Sequence, residues 1–154
     1  MHKASLTLIV ALGPALTLAS PALAHRGPHQ TITIPRIGVN AIIGKSLASG
    51  PVYWPTVGRP GQGTTIAIAG HDVTPVPGFH GHGPFHDINQ LRKGDRIYLN
   101  SHGRRHAYRV TGERVISATD LHIADLTHYE RLLLTTCGPR GSSQYRLVVY
   151  ARPA

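Results

Sequence analysis

At 154 residues the chain has room for one domain with a modest core, and nothing in its length calls for a second. Apolar residues make up 41% and charged residues 15%, with 17 Gly and 12 Pro, which argues against a helical bundle or a disordered chain and for a compact, strand-rich domain. The formal charge of +9 is scattered in pairs such as Arg92-Lys93 and Arg104-Arg105, with no basic helix or run. It suits an anionic membrane or envelope polymer and lacks the pattern of a nucleic-acid binder.

Residues 1–24 read as an export signal, with Lys3 at the start, an apolar stretch from Leu6 to Leu18, and a small-x-small cleavage site at Ala22-Leu23-Ala24. Gly13-Pro14 breaks the apolar stretch, which falls short of the roughly 20 residues that span a bilayer. A cleaved signal is therefore favoured over a permanent membrane anchor. Residues 25–30 form a polar linker, and the folded domain is expected over 31–154.

Thr31 to Ile34 alternates as a strand and stops at Pro35; Ile37 to Ile43 is a second short apolar stretch. Ser46 to Gly50 is a turn or one helical turn, and Gly50 to Gly63 is a Pro/Gly loop in which Tyr53 and Trp54 anchor the packing. Thr64 to Ala69 is a buried strand ending at Gly70-His71, where rigid scaffold meets loop. Prolines and glycines between Asp72 and His86 forbid regular structure there, and long ordered loops of this kind are often functional.

Asp87 to Leu91 suits a helical turn. Arg96 to Asn100 and His106 to Ile116 form a hairpin through Ser101-His102-Gly103-Arg104, with Tyr108, Val110 and Val115 on the apolar side. Asp120 to Tyr129 is a loop with room for a helical turn. Two final strands, Arg131 to Cys137 and Gln144 to Tyr150, follow each other closely and are expected to lie side by side. Seven to eight short strands with little helix predict a closed or nearly closed β-barrel.

Cys137 is the single cysteine, so no intramolecular disulfide is possible. A cysteine attacks as thiolate, and at its ordinary pKa of about 8.5 it needs a nearby cation or base to do so near neutrality. His71 and Arg146 are the candidate partners, both at or near strand ends. An imidazole can give a proton to a leaving amine and take one from an incoming nucleophile. A guanidinium that never loses its charge can orient the reacting carbonyl and stabilise its oxyanion. By spacing alone each residue also has a bland reading: a buried thiol, one of 11 histidines, an edge-strand charge.

Taken together, Ala69-Gly70-His71-Asp72 after a strand, Leu134-Thr135-Thr136-Cys137 ending another, and Arg146 in the next resemble the sortase family. Ile37-Gly38-Val39, Gly58 to Gly63, Leu91 to Asp95 and Leu147 to Ala151 extend the likeness over nearly all of 31–152. The resemblance implies an eight-stranded, closed sortase-like β-barrel with one or two short helical turns and no cofactor or metal. It also implies a cysteine transpeptidase in which Cys137 is the nucleophile, His71 the acid/base and Arg146 the oxyanion partner, with Thr135 and Thr136 in the substrate groove. Such enzymes cut a sorting signal of the Leu-Pro-x-Thr-Gly kind, hold the acyl chain as a thioester and pass it to an amine of the cell envelope or of a pilin. The short chain and the Thr-Thr-Cys ending look most like classes E and D. Two features depart from the family: the first Thr of its Thr-Leu-x-Thr-Cys motif is replaced by Leu133, and the N-terminus carries a plausible cleavage site.

Two other readings compete. His71, Asp72, His80, His82, His86 and Asp87 cluster in sequence and include common zinc and copper ligands, but they sit in a Gly/Pro loop that cannot fix ligand geometry by itself. A non-enzymatic, positively charged envelope-binding barrel would make no use of Cys137.

Overall fold

The computed structural model describes residues 29–154. The expected export signal and the first residues of the linker lie outside them. Eight strands form one sheet in the order β2-β1-β5-β6-β8-β7-β4-β3. They are β1 (Thr31–Ile34), β2 (Val39–Ile42), β3 (Val52–Tyr53), β4 (Thr65–Ala69), β5 (Arg96–Ser101), β6 (Arg104–Ser117), β7 (Arg131–Cys137) and β8 (Tyr145–Pro153). All neighbours run antiparallel except β4 and β7, which are parallel.

The expected closed barrel is not what forms. The edge strands β2 and β3 share no ladder, only an isolated bridge between Gly44 and Val52, so the sheet is an open half-barrel. β3 lies in the segment read as a Pro/Gly loop and is only two residues long, because Pro51 and Pro55 flank it and carry no N–H for a ladder. Among the described residues helix is limited to four short 3-10 turns, at Pro35–Ile37, Leu47–Ser49, Ile88–Gln90 and Leu121–Ala124.

The β5–β6 hairpin turns through His102 and Gly103, both at positive φ (50° and 75°), the pair of left-handed residues that a two-residue turn needs to match strand twist. Further along β6 the register shifts between Val110 and Gly112. This bulge changes which residues face inward. Val110 pairs with Ala151, and beyond the shift Glu113 pairs with Val149 and Val115 with Leu147, so Val115 keeps to the face of Tyr108 and Val110. The core ends before reaching it: Val115 is 49% exposed, whereas Tyr108 and Val110 are buried.

The concave face holds the main core, built from Ile32, Ile34, Ile66, Ile68, Ile97, Leu99, Leu132, Leu134 and Val149, and plugged by Phe85, Ile88 and Leu91 from the long loop after β4. A smaller cluster on the convex face joins Ala67, Leu133 and Val148 to Val57, Ala124 and Trp54. β7 is sandwiched between them, and five of its seven residues are buried. That explains why its sequence is a near-continuous apolar run where a one-sided strand would alternate.

The loop from Asp72 to His86 is irregular but closed on itself. The N–H groups of Gly83 and Phe85 donate to the carbonyls of Asp72 (2.8 Å) and His71 (3.0 Å), tying the loop's end to its beginning. Gly83 packs so closely on the His71 carbonyl and Cβ that a methyl group there would overlap them. A second tie lies at the opposite end of β7, at Glu130 just before its first residue. The buried Tyr108 hydroxyl donates to Glu130 Oε1 (2.6 Å), while Glu130 Oε2 accepts from the N–H groups of Gly61 (2.9 Å) and Gly63 (3.0 Å). Burial pushes the Glu130 carboxyl up, but those three donors outweigh it and hold the group below the usual glutamate value. Burial and the adjacent carboxylate raise the Tyr108 phenol.

Tyr108→Phe should lower the unfolding free energy by about 2 kcal/mol in urea titrations, the usual contribution of a hydrogen bond to a charged group. A carboxyl whose folded pKa is depressed stabilises the fold above its unfolded value and loses that contribution as pH falls through the folded one. Glu130→Gln is therefore expected to flatten the acid side of the stability profile. Gly83→Ala should cost about 2 kcal/mol through overpacking and displace His71, which chemical denaturation and a side-chain NMR spectrum of His71 would register.

Candidate active site

Sheet register places two of the three residues singled out by sequence, and the backbone just beyond β4 places the third. Cys137 is the last residue of β7 and the direct cross-strand partner of Arg146 on β8. On its other side β7 runs parallel to β4, with Ala69 opposite Thr135. Continuing that register by two residues brings His71 level with Cys137. Side chains alternate along a strand, so Ala69 and His71, Thr135 and Cys137, and Arg146 and Val148 share the convex face. They meet in a groove of about 260 Å³, lined by His71, Thr135, Thr136, Cys137 and Arg146 together with Leu47 and Trp54.

The thiol of Cys137 is free and half-buried. Arg146 is also half-buried, and its Nη1 donates to the carbonyls of Ser143 and Tyr145, each at 2.9 Å. Those bonds pin the β7–β8 connection and fix the guanidinium's pivot. Its Nε and Nη2 have no partner among the described residues and remain able to donate to a substrate carbonyl. His71 owes its position to backbone contacts: its carbonyl accepts from Phe85, and the preceding Gly70 N–H donates to Thr135 O (3.0 Å).

Thr136 and Thr135 differ in their use. Both are buried. Thr136 Oγ1 donates to Gly70 O at 2.8 Å, stitching the ends of β4 and β7 together immediately before His71 and Cys137. Thr135 lines the groove, but its Oγ1 is buried and has no partner among the described residues.

Cys137 also borders a second cavity, of about 280 Å³, at the concave mouth of the sheet. Its walls include Asp72, His86, Glu113, Val115 and Leu147. Sequence reading missed Glu113 because its direction depends on the bulge in β6, and missed Trp54 as a groove residue because it follows a strand of only two residues, too short to carry periodicity. Asp72 and His86 were visible only as members of a histidine-rich cluster. That cluster does not converge. His86 pairs with Asp72, His82 stacks on His86 with ring centroids 3.9 Å apart, and His80 is exposed. Among the described residues no group of three or more His, Cys, Asp or Glu is placed to hold a metal ion.

The fold and this site can be set beside known proteins. The family model described as Sortase domain matches residues 32–154. No curated protein matches by sequence. Among solved structures, sortase C-1 from Actinomyces oris is similar with a TM-score of 0.74 and 24% identity, covering 84% of this chain and 76% of that one. A lid mutant of sortase A from Corynebacterium diphtheriae gives 0.71 and 25%, covering 87% and 74%. A sortase D5 transpeptidase from Clostridium perfringens gives 0.70 and 24%, covering 82% and 79%. With the family model covering all but the first of the described strand residues, the chain belongs to the sortase family.

Proposed function

We propose that this chain is a cysteine transpeptidase in which Cys137, His71 and Arg146 carry the chemistry. The observation that supports it most is the groove at the end of β7, whose lining includes a thiol, an imidazole and a guanidinium, with Cys137 and Arg146 on paired positions. The thiolate of Cys137 attacks the scissile carbonyl of a bound peptide. The guanidinium of Arg146 holds the oxyanion, and the imidazole of His71 gives its proton to the departing amine. A thioester on Cys137 results, and its resolution by a second amine completes the transfer.

The substrate in this reading is a sorting signal of the Leu-Pro-x-Thr-Gly kind on a surface protein, and the acceptor is an amine of the envelope or of a pilin. The groove walls fit an extended peptide, with Leu47 and Trp54 supplying apolar contact along it. Residues 31–154 form the catalytic unit and residues 1–24 the address that takes it out of the cytoplasm. Sortases are envelope-associated enzymes, which agrees with the excess of positive charge. Among the described residues no helix is long and apolar enough to cross a membrane.

Cleavage of fluorogenic sorting peptides, followed by chromatography of the products, tests the assignment. Cys137→Ala should abolish cleavage. His71→Ala and Arg146→Ala should each lower kcat/KM by about 100-fold. Arg146→Lys should recover little, because an ammonium lacks the planar fork that can hold both its own loop and a carbonyl. Turnover retained in Cys137→Ala would defeat the proposal.

A further inference from the structure

The concave cavity behind Cys137 contains chemistry that the three groove residues do not use. Asp72 is 3% exposed. Its Oδ1 lies 2.9 Å from His86 Nδ1, which is also 3.2 Å from the Asp72 carbonyl oxygen. Facing two acceptors, Nδ1 carries a ring proton, which leaves Nε2 as the nitrogen free to exchange a proton with a ligand. The ring cannot swing freely, because His82 lies flat on it with an interplanar angle of 5°. Asp72 Oδ2 is buried without a partner among the described residues, an orphaned acceptor on a residue that lines the cavity.

The remaining walls select a ligand. Glu113 adds a second carboxylate, while Val115 and Leu147 provide aliphatic surface. The one cation at the rim, Arg140, is paired with Asp87 at 3.2 Å, which reduces its repulsion of a positive ligand. The Glu113 carboxylate, an imidazole oriented by the buried Asp72 and an apolar wall beside a thiol suit a primary ammonium on an aliphatic or peptide stem.

Resting on the transpeptidase reading above, we propose that this cavity is where the incoming amine binds, and that His86, oriented by Asp72, is the base that deprotonates it. The ammonium gives a proton to His86 Nε2. The freed nitrogen lone pair forms the C–N bond to the thioester carbonyl, and collapse of the tetrahedral adduct breaks the C–S bond, leaving its electron pair on Cys137 Sγ. A second proton from that nitrogen returns Sγ to the thiol, and the His86 imidazolium releases its proton to water. His71 on the convex face serves the amine that leaves, and His86 on the concave face serves the amine that arrives.

The test separates the two half-reactions in the full chain. Acylation is followed as release of the C-terminal fragment of a Leu-Pro-x-Thr-Gly peptide. Transfer is followed with two nucleophiles: triglycine, whose amine is protonated near neutral pH, and hydroxylamine, which is already neutral there and needs no base. His86→Gln, which can still hydrogen-bond Asp72, should lower transfer to triglycine by about 100-fold while acylation and transfer to hydroxylamine stay as in the native chain. Glu113→Gln should raise the KM for triglycine about tenfold with kcat unchanged, as expected for loss of one charge contact. Unaltered triglycine transfer in both variants would overturn the proposal. So would a His86→Gln variant that loses acylation, or one that loses both nucleophiles equally, since either marks a structural role. Absence of acylation in the native chain would instead strike the transpeptidase reading itself.

Discussion

The site depends on how the end of one strand is held. β7 is parallel to β4 on one side and antiparallel to β8 on the other, so Cys137 faces Arg146 directly, and His71, just past the end of β4, is brought to the same level with help from the Phe85 tie. Because the ladders fix register to single residues, a slip of one position would send the thiol to the opposite face. Slippage is opposed by burial on both faces of β7 and by the Thr136–Gly70 hydrogen bond at the very end of the β4–β7 pair. Precision at Cys137 is thus a property of the sheet, while the loops around it supply the remaining groups.

The same strand end separates two environments. The convex groove offers His71, Arg146 and Trp54, and the concave cavity offers Asp72, His86 and Glu113, with Cys137 bordering both. A reaction that expels one amine and admits another benefits from two approaches to a single sulfur, because the groups that assist departure need not be displaced for arrival. The loop from Asp72 to His86 makes this possible. It begins next to His71 and returns to deliver His86, and its backbone bonds back to His71 and Asp72 couple the two sides mechanically.

Much of this was legible in the residues. The apolar run ending in Cys137 and the run around Arg146 gave both strands and their adjacency, and the strand before Gly70 ended where expected. The long Pro/Gly segment was correctly read as an ordered loop, since its prolines and glycines exclude ladders without preventing side-chain and backbone ties. Barrel closure was overestimated, because closure depends on whether β2 and β3 meet at the far edges, a long-range contact that leaves no periodicity in either segment. Val115 was placed on the side of Tyr108 and Val110, where it lies, but Glu113 owes its direction to a bulge that shifts the alternation midway through β6, and a bulge is invisible to a pattern that assumes strict period two. The Asp72–His86 pair was seen only as a cluster; which of several imidazoles meets the carboxylate is decided by the fold of the loop.

The central claim is that the sulfur of Cys137 becomes an acyl carrier. Intact-mass spectrometry of the chain incubated with sorting peptides in the absence of an added amine, with proteolytic mapping of any adduct, addresses it directly. The account predicts a hydroxylamine-labile mass increase equal to the N-terminal peptide fragment, located on the peptide that contains Cys137. Peptide cleavage with no such adduct, or an adduct on any other residue, would contradict it.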